Sequence, residues 1–206
     1  RILYLEGTPR LEQTFLRRSL RRFPDLDLNY RWIPKDTSNQ WPVDLDDAFQ
    51  PGRYDVYILG DLDATALGDE QLGELAEAVS GGAGLLTLGG FQAYGAGGYA
   101  DSPLADVIPV RMDASRRRAV GSEMANDETQ LPGPVTIELA RNHPITDLGG
   151  DEPDAVWQQL PPLPGANRLV GEKVAPGILA LLQTPQQNPL LVVGEYGGGR
   201  TAALAF

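Results

Sequence analysis

The chain has no cysteine among its 206 residues and only one histidine. It also has no apolar run approaching the roughly 20 residues that span a bilayer. The first absence excludes disulfides, thiolate metal sites and cysteine nucleophiles together. The second excludes a metal site built on two histidines. No secretory leader pattern is visible. Basic residues are outnumbered, leaving a net charge of −11 and a pI near 4.5. Phosphate backbones repel such a surface, so we expect no nucleic-acid partner.

What is present fits a soluble globular domain. An apolar share of 42% and a charged share of 22% are ordinary for that class, and the length suffices for one core. The arginines are uneven. Arg10, Arg17, Arg18, Arg21 and Arg22 crowd one helical segment, and Arg116, Arg117 and Arg118 form a short run. Either these are solvated faces, or they form a patch for an anion or an acidic partner.

Residues 2–5 read as a strand covered on both faces. Thr8 and Pro9 then suit the cap and first position of a helix carrying Leu11, Phe15, Leu16, Leu20 and Phe23 at helical spacing, closed by Pro24. A strand over 28–33, a polar connection over 34–53 and a strand over 54–60 follow. The next helix is capped by Gly68, buries Leu72, Leu75, Ala76 and Val79, and stops at Gly81-Gly82. A strand over 84–88 completes the alternation, which is the grammar of a parallel sheet with right-handed crossovers. Beyond residue 100 prolines accumulate and strand signals shorten, with one at 135–139. Segments 178–182, 189–195 and 201–206 read as an antiparallel meander. The chain opens and closes inside strand patterns, so we expect a single domain, 1–206, excised from a longer protein.

Ligands of open α/β sheets bind beyond the carboxyl ends of the strands. The turns at 6–10, 60–63 and 89–94 should therefore meet in one crevice, lined by Glu6, Thr8, Arg10, Gly89, Gly90, Phe91 and Tyr94. In several hydrolase-like folds the turn after such a strand holds the nucleophile; here it offers Gly89, Gly90 and Phe91. The glycines either aim N–H groups at an anion or only permit a tight turn. Gly95-Ala96-Gly97-Gly98-Tyr99 lacks the lysine and hydroxyl of a phosphate loop and reads as a flexible rim with two tyrosines. His143, in Asn142-His143-Pro144-Ile145-Thr146, is either a polar site residue or a cap for the turn that follows it. The acidic pairs Asp61/Asp63, Asp46/Asp47 and Asp151/Glu152 lack the spacing of a calcium loop and read as solvated. We expect no metal and no cofactor.

Taken in order, several segments resemble class I glutamine amidotransferase-like domains of bacterial membrane proteins. The resemblance rests on residues 2–10, 54–61, 81–90, 95–99 and 142–146, on Trp157 with Leu160-Pro161-Pro162-Leu163, and on Gly197-Gly198-Gly199-Arg200. It implies a flavodoxin-like three-layer sandwich, mainly parallel, with the C-terminal meander attached. Active relatives use a cysteine–histidine–glutamate triad, and the cysteine's place maps to the Gly89–Gly90–Phe91 turn. We therefore expect a non-catalytic, pseudoenzyme-type domain that binds a small anionic ligand or another domain of its own protein, such as a von Willebrand factor A-like module. The resemblance also implies a membrane-anchored parent, with the extracytoplasmic side favoured for this part. A hydrolase or amidotransferase with a non-cysteine site, and an architectural spacer, are the alternatives.

Overall fold

Every residue of the first strand, β1 (Ile2–Glu6), is buried, as a strand sandwiched between two layers should be. The computed structural model describes residues 1–122, 126–149 and 153–206. After β1 come α1 (Leu11–Leu20), β2 (Leu28–Trp32), β3 (Val56–Gly60), α2 (Gly68–Ser80) and β4 (Gly84–Leu88). The second half holds β5 (Gln130–Val135), β6 (Glu138–Leu139), α3 (Pro153–Gln158), β7 (Leu163–Asn167), β8 (Leu179–Gln183), β9 (Pro189–Tyr196) and β10 (Gly199–Leu204). One eight-stranded sheet runs β2-β1-β3-β4-β10-β9-β8-β6, while β5 and β7 form a separate antiparallel ribbon. Pairing is parallel from β2 through β10 and antiparallel from β10 to β6. The fold is thus mixed α/β, with a large, mostly parallel sheet extended by antiparallel strands. No helix among the described residues is long and apolar enough to cross a membrane.

Strand order places the helices. The chain steps outward from β1 to β2 and later in the opposite direction from β3 to β4, so right-handed crossovers put α1 and α2 on opposite faces. Leu16 and Leu20 of α1 pack over Ile2, Tyr4, Ile58 and Leu88. Leu72, Leu75, Ala76 and Val79 of α2 join the main core with Leu3, Leu5, Tyr57 and Leu59. The connection between β2 and β3 also packs on that core, burying Leu45, Ala48 and Phe49. Gln71 holds it there by donating to the Val43 carbonyl at 2.7 Å and accepting from the Leu45 amide at 3.0 Å.

Four expectations need correction. Thr8 does not cap α1: Arg10 holds the cap position, and the Thr8 amide donates to Glu6 instead. The apolar residues of that segment lie on both sides of the helix. Leu16 and Leu20 face the sheet, whereas Leu11 and Phe15 face solvent, with Phe23 exposed beyond the helix end. The segment 135–139 is not one strand, because the chain leaves the ribbon after Val135 and joins the main sheet at Glu138. The stretch around Gly95 is no flexible rim. Tyr94 and Tyr99 are both buried, and the Tyr99 hydroxyl donates to the Leu62 carbonyl at 2.8 Å.

These placements set an expected contrast in stability. Leu75 is fully buried, so Leu75→Ala should cost about 2–5 kcal/mol in urea unfolding. Leu11→Ala should stay within about 0.5 kcal/mol of the parent.

Candidate functional site

The carboxyl ends of β1, β3 and β4 do converge, and the residues there are bonded mainly to one another. Glu6 closes β1 with no solvent exposure. Its carboxylate accepts from the Tyr4 hydroxyl at 2.6 Å and from the Thr8 amide at 3.2 Å, and Arg10 Nη2 lies 3.7 Å away. Burial pushes the Glu6 carboxyl above its ordinary range; Arg10, Tyr4 and Thr8 oppose that rise, and Asp61 adds to it. A side chain at Gly60 would collide with this carboxylate, so glycine ends β3 for want of space.

The turn after β4 is held from both sides. Arg10 Nη1 donates to the Gly89 carbonyl at 2.7 Å. The Gly90 amide donates to Asn167 Oδ1 at 2.7 Å, and Asn167 Nδ2 returns a bond to the Gly90 carbonyl at 2.9 Å. Gln130 reaches the same carbonyl at 3.2 Å. Two residues on, the Gln92 amide donates to Asp61 Oδ1 at 2.6 Å. A Cβ at Gly90 would fall on the Asp61 carboxyl group, and one at Gly89 on the Ala205 backbone. Asp61 (φ 24°) and Tyr94 (φ 54°) flank this turn in backbone conformations that side-chain-bearing residues seldom adopt.

Of the seven crevice residues inferred from sequence, the structure ties four directly into this network: Glu6, Arg10, Gly89 and Gly90. Thr8 joins through its amide. Phe91 is half-buried beside them. Tyr94 lies beneath the turn rather than in the crevice, its hydroxyl bonded to the carbonyls of Thr87 at 3.2 Å and Leu204 at 2.6 Å. Burial pushes its phenol well above the ordinary range.

Asp61 and Asp63 are not solvated. Both are buried, and Asp63 takes a two-point contact from Arg117 at 2.7 and 2.9 Å. Asp46 and Asp47 are exposed, with Arg53 3.5 Å from Asp47. Asp151 and Glu152 lie outside the described residues. Among those residues no group of three or more acids and histidines is arranged to hold a metal ion.

His143 stands apart from this elbow, the Gly89–Gly90–Phe91 turn after β4. It follows β6 at the far edge of the sheet, four strand steps from β4, or roughly 19 Å at ~4.8 Å per step. Its Nδ1 accepts from the Ile145 amide at 3.2 Å, capping its own turn. Asn167 and Gln130 were not foreseen. Asn167 sits at the end of a proline- and glycine-bearing strand, and only tertiary pairing, such as its amide to the Ala205 carbonyl at 2.6 Å, brings it to the elbow.

No protein-family model matches the chain, and no curated protein matches it. Solved structures do match. Over its whole length the chain is similar to Cytoplasmic Protein STM3548 from Salmonella typhimurium, at 22% identity and a TM-score of 0.67, covering 87% of that chain. With 99% of its length it is similar to Cytoplasmic Protein STM1381 from Salmonella typhimurium LT2, at 19% identity and a TM-score of 0.66, covering 86% of that chain. An exo-β-1,4-mannosidase from Opitutaceae bacterium strain TAV5 matches at 11% identity and a TM-score of 0.50, with this chain covering 30% of it. At these identities what is shared is the fold.

Two outcomes are expected here. Asn167→Ala strands the Gly90 amide and leaves its carbonyl with Gln130 alone, and should lower unfolding free energy by about 1–3 kcal/mol in denaturant titration. Glu6 binds its proton more tightly folded than unfolded, so its contribution is complete below the ordinary carboxylate range. It fades as pH rises through the raised folded value. Glu6→Gln should therefore gain stability relative to the parent as pH climbs through that window, measured as melting temperature against pH.

Proposed function

We propose that this chain is a non-catalytic, amidotransferase-like domain that acts by binding, built on the flavodoxin-like three-layer plan of that family. Its setting is a membrane-anchored bacterial parent, on the extracytoplasmic side. The observation that carries this is the condition of the elbow. No sulfur stands there, and the Gly90 and Gln92 amides are already bonded to the chain's own Asn167 and Asp61. Amides that stabilise an oxyanion must be free to meet it. Helices on opposite faces of a sheet whose larger part is parallel support the three-layer plan.

The mouth that remains is Thr8, Arg10 and Phe91, all part-exposed. Arg10 offers a guanidinium, but two of its nitrogens already face Glu6 and the Gly89 carbonyl. That arrangement disfavours a small anion and favours a neighbouring domain of the same protein, such as a von Willebrand factor A-like module. The hydrolytic alternative draws no support from His143, which caps its own turn at a distance from the elbow. The spacer alternative draws on a different surface, the exposed apolar side of α1.

Incubated with glutamine, the protein should release no ammonia above the protein-free rate in a coupled assay. Sustained release would end the non-catalytic reading. A separately produced neighbouring domain of the parent should lose binding to Arg10→Ala and Phe91→Ser; unchanged binding would remove the elbow as the contact.

A further inference from the structure

Two surfaces of opposite charge are left uncovered on opposite faces of the sheet. The first is the outward side of α1. Leu11 is 75% exposed and Phe15 63%. Arg18 lies on the same side of the helix, three residues after Phe15, and Arg21 and Arg22 are exposed in the turn that follows the helix end. Glu12, Asp25 and Asp27 are near in sequence, yet among the described residues none of these three arginines pairs with any carboxylate. A helix that presents leucine and phenylalanine to water beside unpaired arginines is built to be covered.

The second surface is a groove of about 410 Å³ along the first turns of α2. Its accessible apolar lining comes from Pro42 and Val43, with Leu67 buried beneath, and its carboxylates are Asp44, Asp46, Asp69, Glu70 and Glu74. All five acids are exposed, and among the described residues none pairs with a cation. They do not converge on a metal site either. The groove therefore suits an extended basic surface with an apolar centre. The sheet separates the two surfaces, since α1 packs over Tyr4 and Ile58 and α2 over Leu3, Tyr57 and Leu59. Within one molecule they cannot meet.

We propose that α1 of one copy docks in the α2 groove of a second copy. Phe15 packs on Pro42 and Val43, and Arg18 and Arg22 meet Glu70 and Glu74. Charge complementarity selects this occupant. Packing α1 against its own equivalent would set arginines on arginines, whereas the groove supplies the missing negative charge. The contact joins two different patches, so it either closes a ring or extends into longer assemblies. It is independent of the elbow and stands whether or not the elbow binds anything.

Sedimentation velocity over a dilution series at low salt tests this on the intact chain. The parent should show species heavier than the monomer that grow with concentration and retreat as salt is added. Phe15→Ser, Arg18→Glu/Arg22→Glu and Glu70→Lys/Glu74→Lys should each sediment as monomer, with circular dichroism unchanged because every altered side chain is exposed. An equimolar mixture of the two charge-reversed proteins should recover the heavier species. A parent that stays monomeric throughout would overturn the proposal. So would association that survives Glu70→Lys/Glu74→Lys, or a charge-reversed mixture that stays apart, since α1 would then dock elsewhere.

Discussion

The turn after β4 has no spare room, and much of the surrounding structure follows from that. Asp61 presses on Gly90 from one side, while Asn167 and the Ala205 backbone crowd Gly89 from the other. Neither position accepts a Cβ without displacing backbone or a buried carboxyl group. Three distant stretches of chain, at 61, 167 and 205, are thereby locked to one dipeptide. Most polar groups of this network have found a partner inside the protein, although the buried Arg10 Nε and Gln92 Oε1 have none among the described residues. A turn whose Gly90 and Gln92 amides are already committed has few donors left for chemistry.

The parts of the fold that were legible in the sequence are those where burial imposes a simple pattern. Residues 84–88 form a strand with the expected limits, and Leu72, Leu75, Ala76 and Val79 are buried as their spacing implies. The first helix was harder, because apolar residues on both its sides satisfy the same spacing rule. Leu11 and Leu16 are equally apolar; only contact with the sheet tells them apart. The β5–β7 ribbon was hidden for another reason. Pro132, Gly133, Pro134, Pro164 and Gly165 all argue against strands, yet a two-stranded ribbon tolerates them because few ladder bonds are needed.

The crevice was legible in outline and not in detail. Strand order brings the ends of β1, β3 and β4 together, so Glu6, Arg10 and Gly90 could be placed from sequence. The partners that fill it could not. Asn167 reaches Gly90 only because β7 runs alongside the last residues of the chain, and nothing near position 167 announces that. Asp61 and Asp63 looked like loop carboxylates because isolated aspartates usually are. Their burial is made tolerable by the Gln92 amide and the Arg117 guanidinium, both remote in sequence.

The strand β10 pairs with β4 along 84–88 and with β9 on its other edge, so the last residues of the chain sit in the middle of the sheet. Synthesis must therefore run past residue 204 before β4 acquires its second neighbour. Until then an apolar strand, Gly84–Leu88, keeps an open edge, which is the kind of template that recruits foreign strands. Contacts this remote in sequence also slow collapse to the native topology. Loss of residues 199–204 would be felt at the centre of the sheet rather than at its rim.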